Sequence, residues 1–303
     1  MDNEKLNLLV TESRNSNTLN LDKMSSIEIC AAMNHEDEIA VLAVRKVLPA
    51  VAQAVETAKE AIQSGGRLIY IGAGTSGRIG MMDAVECPPT FGVPNDLVIG
   101  LMAGNSSAFQ TAHENCEDIR DNGVQDLQSI NCNKKDFVVG LAASGRTPYV
   151  IGALSYAKQI GCRTAAVACN PDSAIGAIAD IRIEPICGPE VLTGSTRLKA
   201  GTAEKTVCNM ISTGAMVMCG KAYQNYMVDV KPTNQKLFER AVTIIMKTTE
   251  CDENMARRLL VKSGEKVKTA IVMQKLHCSR EIAEEKLIKA KGYITLAIRD
   301  YLF

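Results

Sequence analysis

The sequence predicts an α/β fold: a doubly wound, five-stranded parallel sheet, preceded by a helical arm and followed by a small helical bundle. Three observations predict it. Five short apolar runs recur between residues 67 and 186, helical stretches separate them, and beyond Gly201 the chain turns wholly helical. Short, continuously apolar strands alternating with helices imply a parallel sheet covered on both faces. The boundaries fall at 1–57 for the arm, 58–221 for the sheet domain and 222–303 for the helical appendage.

The elements follow in order. Residues up to about Glu38 are polar and mixed, and Ser25-Ser26-Ile27-Glu28 offers a helix start. From Ile39 through Ile62 the chain is rich in Ala, Val and Leu, with polar residues at helical spacing. That pattern predicts one long helix ending at Gly65-Gly66. Strands are expected over 67–71, 97–102, 137–141, 164–168 and 181–186. Helices are expected over 107–119 and 148–160. A helix over 203–219, a break near 228–234 and a charged, helix-rich tail from Leu237 complete the reading.

Composition narrows the function. The 303 residues are 46% hydrophobic and 22% charged, an ordinary globular balance. Lys+Arg and Asp+Glu both number 34, so charge gives no case for nucleic acid or an anionic membrane. There is no Trp, and aromatic residues are 4%, too few for base-stacking platforms. The polar, acidic N-terminus lacks the flank and apolar stretch of a signal peptide, and no apolar run is long enough to span a bilayer. A cytoplasmic location is expected. The 11 cysteines are scattered, without a C-x-x-C pair, and the three histidines form no ligand pattern. Buried free thiols are expected, and no metal site.

Ligands of such sheets bind at the carboxyl ends of the strands. Three hydroxyl-rich segments are expected there. Gly72-Ala73-Gly74-Thr75-Ser76-Gly77 has the G-x-G-x-x-G form, but the second strand ends Leu101-Met102-Ala103-Gly104-Asn105, without the carboxylate that would hold a nucleotide ribose. Gly74, Thr75 and Ser76 therefore suit a phosphomonoester or a sugar better than a dinucleotide. The alternative is a tight turn that serves packing alone. Ser144-Gly145-Arg146-Thr147 follows the third strand, with Pro148 opening the next helix, whose free amides and dipole favour an anion. The alternative there is a helix cap by Ser144 or Thr147. Thr193-Gly194-Ser195-Thr196-Arg197-Leu198-Lys199 precedes the long helix after the last strand. Ser195, Thr196 and Lys199 are its binding candidates, and an ordinary solvated loop is the alternative.

Two acidic stretches stand near these loops. Glu86 precedes Cys87-Pro88-Pro89, and Glu114 and Glu117 are three residues apart on the helix expected over 107–119. Lone glutamates are most often solvated, and spacing alone makes none of them catalytic.

The residues 72–78, 86–92, 142–150 and 194–205 together resemble the N-acetylmuramic acid 6-phosphate etherases. These are sugar-isomerase-type (SIS) domains, flavodoxin-like in topology, with a helical C-terminal appendage. The resemblance runs from Thr11-Glu12 to the tail. Glu-Cys-Pro-Pro-Thr (86–90) and Lys-Ala-Gly-Thr-Ala (199–203) are specific to this family and its regulatory relatives. It implies Glu86 as general acid/base and Glu117 as the second functional carboxylate, with Glu114 the near miss. It also implies a phosphorylated amino sugar as substrate, no cofactor and a homodimer. The implied reaction is loss of lactate from C3 of the open-chain sugar, then addition of water.

Two rivals stand beside it. An aldose–ketose sugar-phosphate isomerase would use the same loops and one base. A sugar-phosphate sensor would bind without chemistry, but the glucokinase regulators are about twice as long, and bacterial SIS regulators carry a DNA-binding N-terminal module that this short, non-basic arm does not match.

Overall fold

The computed structural model describes residues 9–109, 115–230, 232 and 234–299. The chain divides into two compact units. The first comprises Met1–Val85 and Asp96–Thr213, and the second Glu86–Asn95 and Gly214–Phe303. Two helices run from one unit into the other.

The first unit is built on five parallel strands: β1 (Leu68–Gly72), β2 (Val98–Met102), β3 (Phe137–Leu141), β4 (Arg163–Val167) and β5 (Ile181–Ile183). Their order is β2-β1-β3-β4-β5. Every residue of β1 and β3 is buried. That is why these strands read as unbroken apolar runs rather than alternating ones. β5 stops three residues short of its expected end, at Glu184-Pro185, where proline removes a ladder donor.

The order matters for function. β1 lies between β2 and β3, so the chain leaves β1 in one direction along the sheet and continues from β3 in the other. A crevice opens at such a reversal, at the carboxyl ends of the strands. Gly72 pairs with Leu141 in register, so the loops leaving β1 and β3 emerge side by side there.

The single helix expected over 39–62 is two helices, α1 (Ser26–Lys46) and α2 (Leu48–Gln63). The break is at Val47, two residues before Pro49. Proline is accepted in a first turn but not in a helix interior. Glu28 accepts hydrogen bonds from the Ser25 amide at 2.7 Å and the Ser25 hydroxyl at 2.6 Å, the expected helix start. α2 packs on the sheet, against β1, β3 and β5.

The helix expected over 107–119 is not present among the described residues. Two short 3₁₀ turns, Ser106–Phe109 and Cys116–Asp118, stand there, and α4 (Arg120–Ser129) begins after them. Asn115, inside the expected span, adopts left-handed backbone at φ 70°, which a helix interior does not accept. Glu117 therefore sits on a turn. Glu114 lies outside the described residues.

α3 (Gly74–Phe91) and α5 (Pro148–Gln159) follow β1 and β3, and the short α6 (Ala174–Ile178) precedes β5. α7 (Lys199–Met218) ends the first unit and enters the second. In the second unit a two-stranded hairpin (Ala222–Tyr223 with Tyr226–Met227) leads to helices α8 to α12: Gln235–Thr249, Glu253–Lys262, Val267–Leu276, Arg280–Lys289 and Ile294–Ala297. Their core is aliphatic, with Ile245, Leu260, Ala270, Ile271 and Val272 fully buried. This is the helix-rich tail that the sequence predicts. No described helix is long and apolar enough to cross a membrane.

Candidate functional site

The first loop turns from β1 into α3 within two residues. Gly74 has φ +52°, a conformation that side-chain-bearing residues seldom adopt. Thr75 is half-buried and Ser76 buried. Ser76 Oγ lies 2.9 Å from Glu204 Oε1, on α7. Arg78, one turn on, donates to the carbonyls of Ala108 and Phe109 at 2.8 and 3.0 Å, tying α3 to the segment after β2.

The second loop runs from Ala142 to Thr147. Gly145 has φ +71°, and a Cβ there would stand 2.4 Å from the Cβ of Ser173. Both facts require glycine. Ser144 Oγ accepts from the Arg146 amide at 3.3 Å. Thr147 is the residue before α5, yet no side chain caps that helix. The cap reading of these hydroxyls is therefore not what the fold uses.

Ser144, Arg146, Thr147 and Pro148 line a cleft of about 540 Å³ with Glu117 and Asp118. Nε of Arg146 is buried there without a partner among the described residues. The Glu117 side chain reaches solvent, but the protein packed around it, and then the charge of Asp118, raise its carboxyl above the ordinary glutamate range. The cleft thus joins one cation, two hydroxyls and a carboxyl with raised proton affinity.

The third segment is fixed by the N-terminal arm. Asn15 donates to the Pro189 carbonyl at 3.2 Å and Thr18 to that of Val191 at 2.9 Å. Asn170 joins the arm to the second loop, donating to Thr11 Oγ1 at 2.9 Å and to the Ala143 carbonyl at 3.1 Å. Glu190 accepts from the amides of Lys199 and Ala200, satisfying the start of α7. Ser195 and Thr196 are half-buried on the turn before it. Lys199 is buried and its ammonium is engaged by Glu36, so the structure commits this cation to the arm.

Glu86 stands on α3, ten residues beyond Ser76, in the stretch that belongs to the second unit. It is exposed. The sequence places it close after the first loop; the structure adds that loop and glutamate share one helix, with Pro88-Pro89 in its last turn.

Glu204, beside Ser76, is not among the residues that the sequence motifs single out. It is fully buried, and burial lifts its carboxyl to about 8 despite the bond to Ser76. A signal was present. Ala200, Glu204, Cys208 and Ile211 recur at helical spacing, and all four are buried. A glutamate within an apolar stripe marks a charge that the fold has to accommodate.

Residues 50–158 match the glucokinase regulatory protein N-terminal SIS domain, and residues 224–282 match the C-terminal lid domain of glucokinase regulatory protein. The N-acetylmuramic acid 6-phosphate etherase of Pasteurella multocida is 50% identical over 293 residues, covering 97% of both chains. That of Pectobacterium atrosepticum is 53% identical over 300 residues, covering 98% of this chain and 99% of its own. The chain belongs to the N-acetylmuramic acid 6-phosphate etherase family. Among solved structures, a Bacteroides fragilis putative phosphosugar isomerase involved in capsule formation aligns with a TM-score of 0.52 at 22% identity. It covers 68% of this chain and 97% of its own, a likeness of fold. The etherase family and the SIS fold are those that the sequence motifs imply, and the cleft residues lie within the length shared with the etherases.

Proposed function

We propose that this protein cleaves the D-lactyl ether of N-acetylmuramic acid 6-phosphate, giving N-acetylglucosamine 6-phosphate and D-lactate. One observation carries the reading: relatives about half identical along nearly the whole chain are etherases of that substrate. The cleft beyond β3 supports it, because its hydroxyls and guanidinium are what a phosphosugar needs.

The chemistry follows from the substrate. An alkoxide at C3 leaves poorly in direct displacement. In the open-chain sugar the C1 aldehyde makes the C2 proton acidic. A base takes that proton, the C3–O bond breaks, and lactate leaves with a proton on its oxygen. The product is a 2,3-unsaturated aldehyde. Water adds at C3, and C2 regains a proton. Atoms balance as ether plus water giving two alcohols: one C3–O bond breaks and one forms, proton transfers assist both, and no step changes the overall oxidation state.

Glu86 is assigned the proton transfers at C2 and at the leaving oxygen. Glu117 activates the incoming water, a role suited to its raised proton affinity. Gly74, Thr75, Ser76, Ser144, Gly145, Arg146 and Thr147 hold the phosphate, with hydroxyls, amides and one guanidinium. Ser195 and Thr196 contact the sugar. Lys199, paired with Glu36, serves by fixing the segment that carries them. A homodimer in the cytoplasm, with the domains bounded at 57 and 221, completes the proposal.

D-lactate release from N-acetylmuramic acid 6-phosphate tests it. Wild type releases lactate, and Glu86→Gln binds the phosphosugar but releases almost none. Folded wild type that binds phosphosugars without releasing lactate would transfer the protein to the isomerase or sensor reading.

A further inference from the structure

Ser76 has two claims on it. Its position at the carboxyl end of β1 offers its hydroxyl to a phosphate, yet its oxygen stands 2.9 Å from a fully buried carboxyl group. A hydroxyl carries one hydrogen. If Glu204 were an anion, that hydrogen would have to point at Oε1, and the phosphate would lose a donor. It would also meet a second negative charge, that of a fully buried carboxylate.

The surroundings of Glu204 favour the other arrangement. Its Oε2 is buried without a hydrogen-bond partner among the described residues. No described Lys or Arg forms an ion pair with it. The Cys169 thiol after β4 and the Cys208 thiol one turn along α7 are near enough for the charge of Glu204 to raise both. Asp83 of α3 faces Cys208 as well, and it accepts from Asn209 at 2.6 Å. Glu190, which also acts on Cys169, is bound to the start of α7. These neighbours are acids or thiols, and none of them supplies a countercharge.

We propose that Glu204 is a positioning residue working as an uncharged acid: it donates its proton to Ser76 Oγ and leaves the hydrogen of Ser76 for the phosphate of the bound sugar. Glu204 touches no substrate atom. It sets the direction of one hydroxyl. Phosphosugar affinity is then linked to a single proton on Glu204, and the carboxyl that burial lifts to about 8 places the loss of affinity on the alkaline side. The second ionisation of the substrate phosphate is centred near pH 6, below that range. Both thiols are raised well above their ordinary range, so they do not titrate within it.

The inference rests on the phosphosugar reading of the cleft, not on the etherase reaction, and binding without turnover separates the two. Titration calorimetry with N-acetylglucosamine 6-phosphate, from about pH 6 to about pH 9.5, measures the linkage on wild type, Glu204→Gln and Ser76→Ala. Wild-type Kd should be tightest near neutral pH, once the phosphate is ionised, and then weaken by up to about tenfold per pH unit above the Glu204 ionisation. Glu204→Gln, whose amide donates to Ser76 at every pH, should bind within about twofold of wild type at pH 7 and show no alkaline weakening. Ser76→Ala should bind more weakly at pH 7 than either, and its melting curve shows whether it is folded. Alkaline weakening that persists in Glu204→Gln, or a wild-type affinity independent of pH, overturns the role of Glu204 alone. Wild type that binds no phosphosugar at pH 7 overturns the cleft reading and this inference with it. In turnover, the linkage should appear as a KM that rises with pH in wild type and stays level in Glu204→Gln, while kcat does not separate them.

Discussion

Glu36 and Lys199, 163 residues apart, form an ion pair with both side chains at most 4% exposed. Burial alone would raise the Glu36 carboxyl. Hydrogen bonds from Lys199 and Asn15, with the lysine's charge, outweigh it and hold the group below its ordinary range. Removing one partner leaves a charge buried without compensation. Glu36→Ala should therefore cost about 3–5 kcal/mol in denaturant unfolding. The native carboxyl is lowered, so the pair's stabilisation is present above the unfolded value and lost as pH falls through the native one. Wild type should show that loss on acidification, and Glu36→Gln should not.

Glu117 gives the acid limb of the rate profile. Acting on water, it has to be ionised, so kcat should rise with pH through an ionisation above the ordinary glutamate range. Burial is the first cause of that shift and Asp118 the second. Asp118→Asn should move the limb to lower pH, and Glu117→Gln should reduce kcat by about 10²–10⁴-fold. A pH–rate series on the three proteins checks both. An acid limb unmoved in Asp118→Asn would remove Glu117 from that role.

Gly145 is constrained twice, by φ +71° and by Ser173 Cβ at 2.4 Å from where its own Cβ would stand. Gly145→Ala should cost about 1–3 kcal/mol through backbone strain and displacement of the loop. Phosphosugar affinity should fall with it, because the displaced loop carries Ser144 and Thr147. Thermal melting and calorimetry measure the two effects.

Glu204 couples folding to pH from the other side. Its native carboxyl is raised to about 8, so its stabilisation is complete below the unfolded value and is lost as pH rises through about 8. Wild type should lose Tm as pH rises from 4.5 to about 8 and level off above that, and Glu204→Gln should lose less. Equal slopes for the two would show that the buried carboxyl does not titrate on its own.

The fold was largely legible because its signals are local. A strand buried on both faces has to be apolar throughout, so β1 and β3 stand out as Leu68–Gly72 and Phe137–Leu141. The misreadings arose where one residue's backbone overrode a composition. Pro49 divides an alanine-rich run into α1 and α2. Asn115, at positive φ, interrupts the helix expected over 107–119, which puts Glu117 on a 3₁₀ segment instead of a helix face.

The sheet, the two hydroxyl loops and, through motifs such as Glu86-Cys87-Pro88-Pro89-Thr90, the family can be read from the residues alone. These are properties of short segments, set by periodicity, glycine and proline. The partnering of distant polar side chains came only with the folded chain. Folding set Glu117 in one cleft with Ser144, Arg146 and Thr147, gave Lys199 to Glu36, and put Glu204 beside Ser76, 128 residues away. Burial sets the cost of a charge and proximity sets its partner, and neither exists until the chain has folded.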